Sequence, residues 1–238
     1  MNEELLRRVD EKILGQDYTG QFAEDRPLDD FQNLCRSTAL GRSIEFASTM
    51  RSRHSIRSFS DKPVADGMIS YALRAACFAP SGANQQPWHF VVVADAEVKQ
   101  KIRDGAEEEE REFYGGRASE KTLEDIAPFK TNASKPHLTD APVLIVPFSV
   151  HTDNDGGKNH YVSQSIGISV GFLLAALHHA GLATLTHTPS PMKFLNEILE
   201  RPKNERPFLV IPVGYPAEDA VIPAASVKAP LSSKVSFF

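Results

Sequence analysis

Two guanidiniums, an imidazole and a hydroxyl fall within five residues at Arg53-His54-Ser55-Ile56-Arg57. Planar guanidinium forks match phosphate oxygens bidentately, and a phosphate monoester, with close to two negative charges, suits a pair of them. Read alone, such a run is usually a solvated basic face. A second segment, Pro80-Ser81-Gly82-Ala83 leading to Trp88, leaves a helix and enters a strand. Gly82 permits close backbone approach, although a plain helix–strand connection would also use it. A third group is Glu110 and Tyr114, four apart in an acidic helical stretch and therefore on one face. Lys135 follows Tyr114 after Thr131-Asn132. As a group, residues 107–110 read as a solvated acidic face. The last group is Thr184-Leu185-Thr186-His187-Thr188-Pro189, a strand ending at a threonine before proline. Strand-end threonines commonly cap backbone.

The elements that must position these groups alternate along the chain. Helical spacing is expected over residues 40–51. After Pro63 a helix is expected, with Asp66 as N-cap and Ile69, Ala72, Leu73, Ala76 and Cys77 on one face. Residues 90–93 read as a buried strand, 97–114 as an acidic helix, 119–130 as a weak amphipathic helix and 142–148 as a second apolar strand. Residues 163–180 form the most apolar helix, with Gly181 as C-cap. Two more strands are expected at 183–188 and 208–213. The tail after Ala217 shows little periodicity. Alternating strands and helices imply an α/β or α+β sheet domain. On the 163–180 helix, Gly167, Gly171 and Ala175 are four apart and share a face. Small residues there suit either packing within the subunit or a subunit interface. His178-His179 at its end suits the helix dipole better than a metal.

Composition narrows the class. The chain has 238 residues, 41% hydrophobic and 24% charged, which is ordinary for a globular protein. A net charge of −5 argues against nucleic acid or an anionic membrane as partner. Cys35 and Cys77 have no metal-type spacing, and two cysteines are few for a disulfide scaffold. No metal site is expected. The N-terminus lacks a signal-peptide core, and no uninterrupted apolar run approaches the ~20 residues that span a bilayer. The expectation is a soluble, cytoplasmic chain: an N-terminal arm or helix over residues 1–45, then one domain over residues 46–238. No Walker or GxGxxG loop is present, so an ordinary nucleotide fold is not supported.

Taken in order, Arg-x-Ser-x-Arg, a helix, Pro-Ser-x-x-x-x-x-Pro-Trp with an apolar strand, and a late Gly214-Tyr215-Pro216 resemble the nitroreductase superfamily. Glu110, Tyr114 and Lys135 in their spacing resemble the substrate lid of its iodotyrosine deiodinase branch, here about residues 107–136. The resemblance implies an α+β sandwich forming an intertwined homodimer, with FMN at the subunit interface and the small-residue helix buried between subunits. Arg53, His54, Ser55 and Arg57 would hold the FMN phosphate, and Ser81 and Gly82 would lie along the flavin edge. Thr186, His187 and Thr188 would also meet the flavin, Thr188 offering its hydroxyl to N5 and so favouring one-electron steps. That branch carries three threonines here, and His187 departs from it. Lys228 stands where relatives have an arginine on the phosphate, keeping the charge but losing the fork.

The implied activity is reductive dehalogenation of a halotyrosine: iodo-, bromo- or chlorotyrosine goes to tyrosine and halide. Glu110 would pair with the substrate ammonium, Lys135 and the Tyr114 hydroxyl with its carboxylate, and the Ala83 N–H with the phenolate. Such enzymes often draw electrons from a separate reductase. An NAD(P)H-dependent nitroaromatic or quinone reductase is the alternative on the same scaffold. A flavin-binding or amino-acid-sensing protein without turnover is the alternative of another class.

Overall fold

The structure, a computed structural model, describes residues 3–15, 28, 31–153 and 155–238. Part of the expected N-terminal arm, residues 1, 2, 16–27, 29 and 30, therefore lies outside the described residues. The centre is a sheet of five antiparallel strands in the order β1 (Trp88–Val93), β2 (Val143–Val150), β5 (Ile211–Gly214), β3 (Ala183–Thr184), with β4 (Glu205–Pro207) also on β2. The run Val-Leu-Ile-Val-Pro-Phe-Ser-Val of β2 is apolar on both faces because both are covered. Val143 and Ile145 face one core with α3 (Asp66–Cys77) and α7 (Val162–His179). Leu144, Val146 and Phe148 face the other, with α4 (Ala96–Glu112), α6 (His137–Asp140) and α8 (Phe194–Ile198). The result is the expected α+β sandwich.

Outside this sandwich, α1 (Glu3–Leu14) lies on α3, with Val9 buried and Asp10 3.2 Å from Arg74. The helix α2 (Arg36–Arg51) runs unbroken through residue 45 and buries no side chain. A further helix, α5 (Glu120–Ile126), follows α4.

Several expectations shift. Ala65, not Asp66, occupies the N-cap of α3; Asp66 is the first helical residue. Cys77 is only half-buried, while Ser70 joins the buried face. The strand β1 begins at Trp88 and sits at a sheet edge, so only Val93 in it is fully buried. Gly181 follows the C-cap of α7 at φ 81°, and the bonds Leu182 N–H to Leu177 O and Gly181 N–H to His178 O close a Schellman turn. The strand expected over 183–188 keeps ladder pairing only at Ala183 and Thr184. Opposite it stands Pro212, which accepts from Leu185 N–H but has no N–H to return. The chain rejoins its neighbour once more where His187 and Val210 exchange both backbone bonds, at 2.9 and 2.7 Å. The short β4 was not expected, because Glu205-Arg206-Pro207 carries no apolar pattern.

Among the described residues, α7 is the one helix long and apolar enough to cross a membrane by length and composition. Its inward face, including Ile166, Val170, Leu173 and Leu177, packs against α3 and the sheet. The opposite face carries Gly167 and Gly171 with open space where a Cβ would stand, beside exposed Ile168 and Phe172. The end of α7 is pinned by His178, whose Nε2 donates to Thr49 O at 2.9 Å and lies 3.0 Å from the Ser52 hydroxyl. This histidine therefore ties α7 to α2 rather than serving a helix dipole alone.

Lys99 fixes how α4 meets the chain ahead of β2. Its ammonium is buried and donates to the carbonyls of Thr139 and Ala141 at 3.0 and 2.8 Å. Burial lowers its pKa, and Asp140 opposes that drop. Lys99→Met should keep the stem's packing yet leave two carbonyls unpaired, lowering stability by about 1–3 kcal/mol in urea denaturation; an unchanged midpoint would remove this clamp from the argument.

Candidate active site

One face of α4 is polar at a helical repeat, and each of its members bonds to the segment over residues 131–141. Above Lys99, the Arg103 guanidinium donates to Glu107 Oε1 at 2.7 Å and to the Thr139 hydroxyl at 2.8 Å. Glu107 Oε1 accepts from the Lys135 backbone N–H at 2.7 Å. Glu110 Oε2 lies 3.1 Å from the Lys135 ammonium, which also donates to Asn132 O. Past Glu112 the helix widens into a π-helical turn, Phe113–Arg117, and the Tyr114 hydroxyl meets the Thr131 hydroxyl at 2.8 Å. Residues 99, 103, 107, 110 and 114 recur at steps of three and four, so the helix presents them as one row.

This row corrects the reading of residues 107–110 as a solvated face. Glu107 and Glu110 are engaged as above, and Glu109 holds Arg117 at 2.8 Å. Arg117 in turn donates to Ser190 O at 2.7 Å, fastening the π-helical turn to the loop beyond Thr188. Glu108 alone among them is exposed.

The expected substrate triple converges. Glu110, Tyr114 and Lys135 line a cavity of about 460 Å³, and Thr186, His187 and Thr188 line its other side with Arg57. Strand alternation sorts the second group. Thr186 and Thr188 are open, whereas His187 is turned inward and is 9% exposed. Its Nε2 lies 2.9 Å from Glu110 Oε1, and its ring packs edge-on against His137, with centroids 5.3 Å apart. His187 therefore sits beneath the Glu110 carboxylate while still lining the cavity. Burial alone would raise the Glu110 carboxyl, but the His187 hydrogen bond and the Lys135 ammonium outweigh it and hold it below the usual carboxylate range. Arg57 is lowered by burial, with Tyr114 opposing, from a value so high that it stays charged.

The basic run is divided. Ser55 bridges Thr184, and Ile56 N–H donates to Thr184 O at 3.0 Å, so residues 53–57 run beside the strand end. Arg53 and His54 line a second cavity of about 220 Å³ on one side of this seam, together with Thr184. Arg57 faces the first cavity instead. Within the described chain, Arg57 and the Arg53–His54 pair thus open onto different cavities.

Neither cavity is lined by Ser81, Gly82, Ala83 or Lys228. The turn at Ser81 is held locally: Ser81 Oγ accepts from Gln86 N–H at 2.9 Å, and Gln85 Oε1 accepts from His160 N–H at 2.7 Å. Ala83, Asn84 and Gln86 all sit at positive φ. A Cβ on Gly82 would stand 2.8 Å from the Tyr161 ring, so glycine is required for the turn to lie on the start of α7. Lys228 is exposed on the C-terminal tail. Within the single chain, then, Ala83 lies outside the cavity of Glu110, Tyr114 and Lys135.

His137, which the sequence did not single out, lies under the site at 6% exposure. Burial, then the positive charges of its neighbours, drives its pKa from 6.5 to about 3. Its Nε2 has no partner among the described residues. The folded state thus takes up this proton less readily than the unfolded chain, so stability is complete above pH 6.5 and falls as the pH drops toward 3. His137→Phe should leave stability near neutrality little changed and gain on wild type as urea midpoints are compared at about pH 7 and about pH 4.5. A constant difference between the two proteins would contradict this.

Comparison with known proteins places the geometry. Residues 50–215 match the family model described as the nitroreductase family. A protein of Haliscomenobacter hydrossis named iodotyrosine deiodinase is 53% identical over 188 residues, covering 77% of this chain and 85% of that one. The protein of that name from Nematostella vectensis is 40% identical over 187 residues, covering 76% and 71%. Among solved structures, oxidized iodotyrosine deiodinase bound to FMN and 3-iodo-L-tyrosine superposes with a TM-score of 0.69 at 29% identity, covering 78% of this chain and 97% of that one.

Proposed function

The chain belongs to the nitroreductase family, and on that premise we propose that it is an FMN-dependent enzyme that reduces a halogenated tyrosine to tyrosine and halide. The observation that carries the reading is the cavity in which Glu110, Tyr114 and Lys135 face Thr186 and Thr188. One wall offers charges of both signs, as a zwitterion needs, and the other offers hydroxyls. A simple nitroaromatic has no ammonium or carboxylate to engage the first wall.

The donor set fits FMN. Arg53 and His54 supply cationic and N–H donors in one cavity, while Arg57 and the two threonines supply donors in the next, on the other side of the same backbone seam. Arg53 and His54 would hold the phosphate; Arg57 would face the ring system. When bound, FMN supplies the electrons that cleave the carbon–halogen bond. The chain's own residues bind and orient. Glu110 releases the Lys135 ammonium and takes that of the substrate; Lys135 and the Tyr114 hydroxyl take the carboxylate. One buried ion pair is replaced by two, so no charge is stranded on binding. The Thr188 hydroxyl would offer a hydrogen bond at the flavin edge. A halogen lowers the phenol pKa, so a halotyrosine presents more phenolate than tyrosine does.

A second copy of the chain completes the site in this reading. The exposed face of α7, with Gly167, Gly171, Ile168 and Phe172, and the unburied helix α2, with Leu40, Ile44 and Phe46 exposed, are the apolar surfaces it would cover. The Ser81 turn, resting on the start of α7, would bring the Ala83 N–H to the partner's substrate.

Three measurements test the proposal. Dithionite-reduced holoprotein should release iodide from 3-iodotyrosine; a protein that reduces nitroaromatics but releases no halide would sink it. Glu110→Gln should weaken halotyrosine binding by about tenfold or more while FMN stays bound. Gly171→Glu meets open space within its own subunit, so it should fold, sediment as a monomer and lose FMN. A dimeric, yellow Gly171→Glu protein would place the interface elsewhere.

A further inference from the structure

The second wall of the site holds a residue whose position the proposed chemistry has not used. His187 is buried, and its backbone is fixed by two bonds to Val210. Its ring is held edge-on by His137. From that fixed platform Nε2 reaches Glu110 Oε1 at 2.9 Å, while Lys135 holds Oε2 at 3.1 Å. The two oxygens of one carboxylate are thus claimed by donors of different kinds. Lys135 is a flexible ammonium that the substrate carboxylate can draw away. His187 has no such freedom, because its backbone lies in the sheet and its ring is packed.

We propose that His187 is a positioning and specificity residue for the halotyrosine reaction: it holds Glu110 Oε1 so that Oε2 stays aimed at the substrate ammonium when Lys135 moves to the substrate carboxylate. The inference rests on the dehalogenase reading above and extends it to how the amino-acid end of the substrate is selected. Without the imidazole, a carboxylate with one free torsion turns both oxygens onto Lys135. The pair then closes on itself and competes with the zwitterion. The imidazole also crosses from the strand end to α4, so it joins the wall that meets the flavin to the wall that meets the amino acid. Binding at one wall is then registered against the other by a side chain that need not touch the substrate.

Such a role predicts a split between substrates. A halophenol has the ring and the halogen but no ammonium for Glu110. His187→Leu keeps bulk and removes the donor; His187→Gln keeps an N–H near the place of Nε2. For His187→Leu, the Kd for 3-iodotyrosine, read by quenching of bound flavin fluorescence, should rise on the order of tenfold. KM should rise with it and kcat should change less. The kcat/KM for 2-iodophenol should fall by less than about threefold, and His187→Gln should recover most of the lost affinity. In a cycle with Glu110→Gln, the His187 substitution should have little further effect once the carboxylate is gone. Equal losses for both substrates, equal behaviour of Leu and Gln, or full additivity with Glu110→Gln would each overturn the assignment. Those outcomes in a wild type that does release iodide refute the positioning role alone. A wild type that neither binds iodotyrosine nor releases halide refutes the dehalogenase reading and this inference with it.

Discussion

The site depends on one helix face pairing with one stretch of irregular chain. The segment over residues 131–141 has little repetitive structure of its own beyond the single turn of α6. Irregular backbone near a core must satisfy its carbonyls and N–H groups somewhere. Here α4 and the π-helical turn after it supply the partners in sequence: Lys99 for the carbonyls of Thr139 and Ala141, Arg103 for the Thr139 hydroxyl, Glu107 for the Lys135 N–H, Glu110 for its ammonium and Tyr114 for Thr131. The lower rungs are structural and the upper ones line the cavity. The row therefore grades from fold stability at Lys99 to the cavity wall at Tyr114 along one face, crossing from α4 into the π-helical turn that follows it.

That arrangement settles a difficulty of placing charges inside a protein. An unpaired carboxylate or ammonium in a half-buried cavity is costly, and a pair with poor geometry gains little over its desolvation. Glu110 is met on both oxygens, and Lys135 finds a backbone carbonyl as well as the carboxylate. Glu110 and Lys135 thus satisfy each other across the cavity wall. A group of one sign alone would take one partner of this pair and leave the other without its counter-charge.

Much of this was legible beforehand, for identifiable reasons. Glu110, Tyr114 and Lys135 converge as expected, because helical spacing fixes the first two and the resemblance fixed the third. The two cores follow from apolar runs such as β2. The misreadings share a cause: sequence patterns report polarity, not partners. Glu107 and Glu109 looked solvated because nothing in a run of glutamates names the arginine or backbone N–H that will meet them. The repeat of Lys99, Arg103 and Glu107 at four-residue steps was visible and could have marked the row. Strand pairing beyond Thr184 failed for want of a donor on Pro212, a residue far away in the chain. Arg57 parted from Arg53 because the seam with Thr184 runs between them, and His187 turned inward by the alternation that leaves Thr186 and Thr188 open. Ser81, Gly82 and Ala83 line neither cavity within a single chain.

The seam between residues 55 and 184 has a consequence for motion. Arg53, Arg57, Thr186 and Thr188 all hang from two adjacent lengths of backbone joined by main-chain bonds. The opposite wall is joined by side-chain bonds, which can exchange by rotamer change without moving the backbone, whereas collective shifts of packed elements take microseconds or longer. The site thus keeps two clocks. Its floor holds still for as long as the sheet does, while its wall can trade partners many times within one slow breath of the fold.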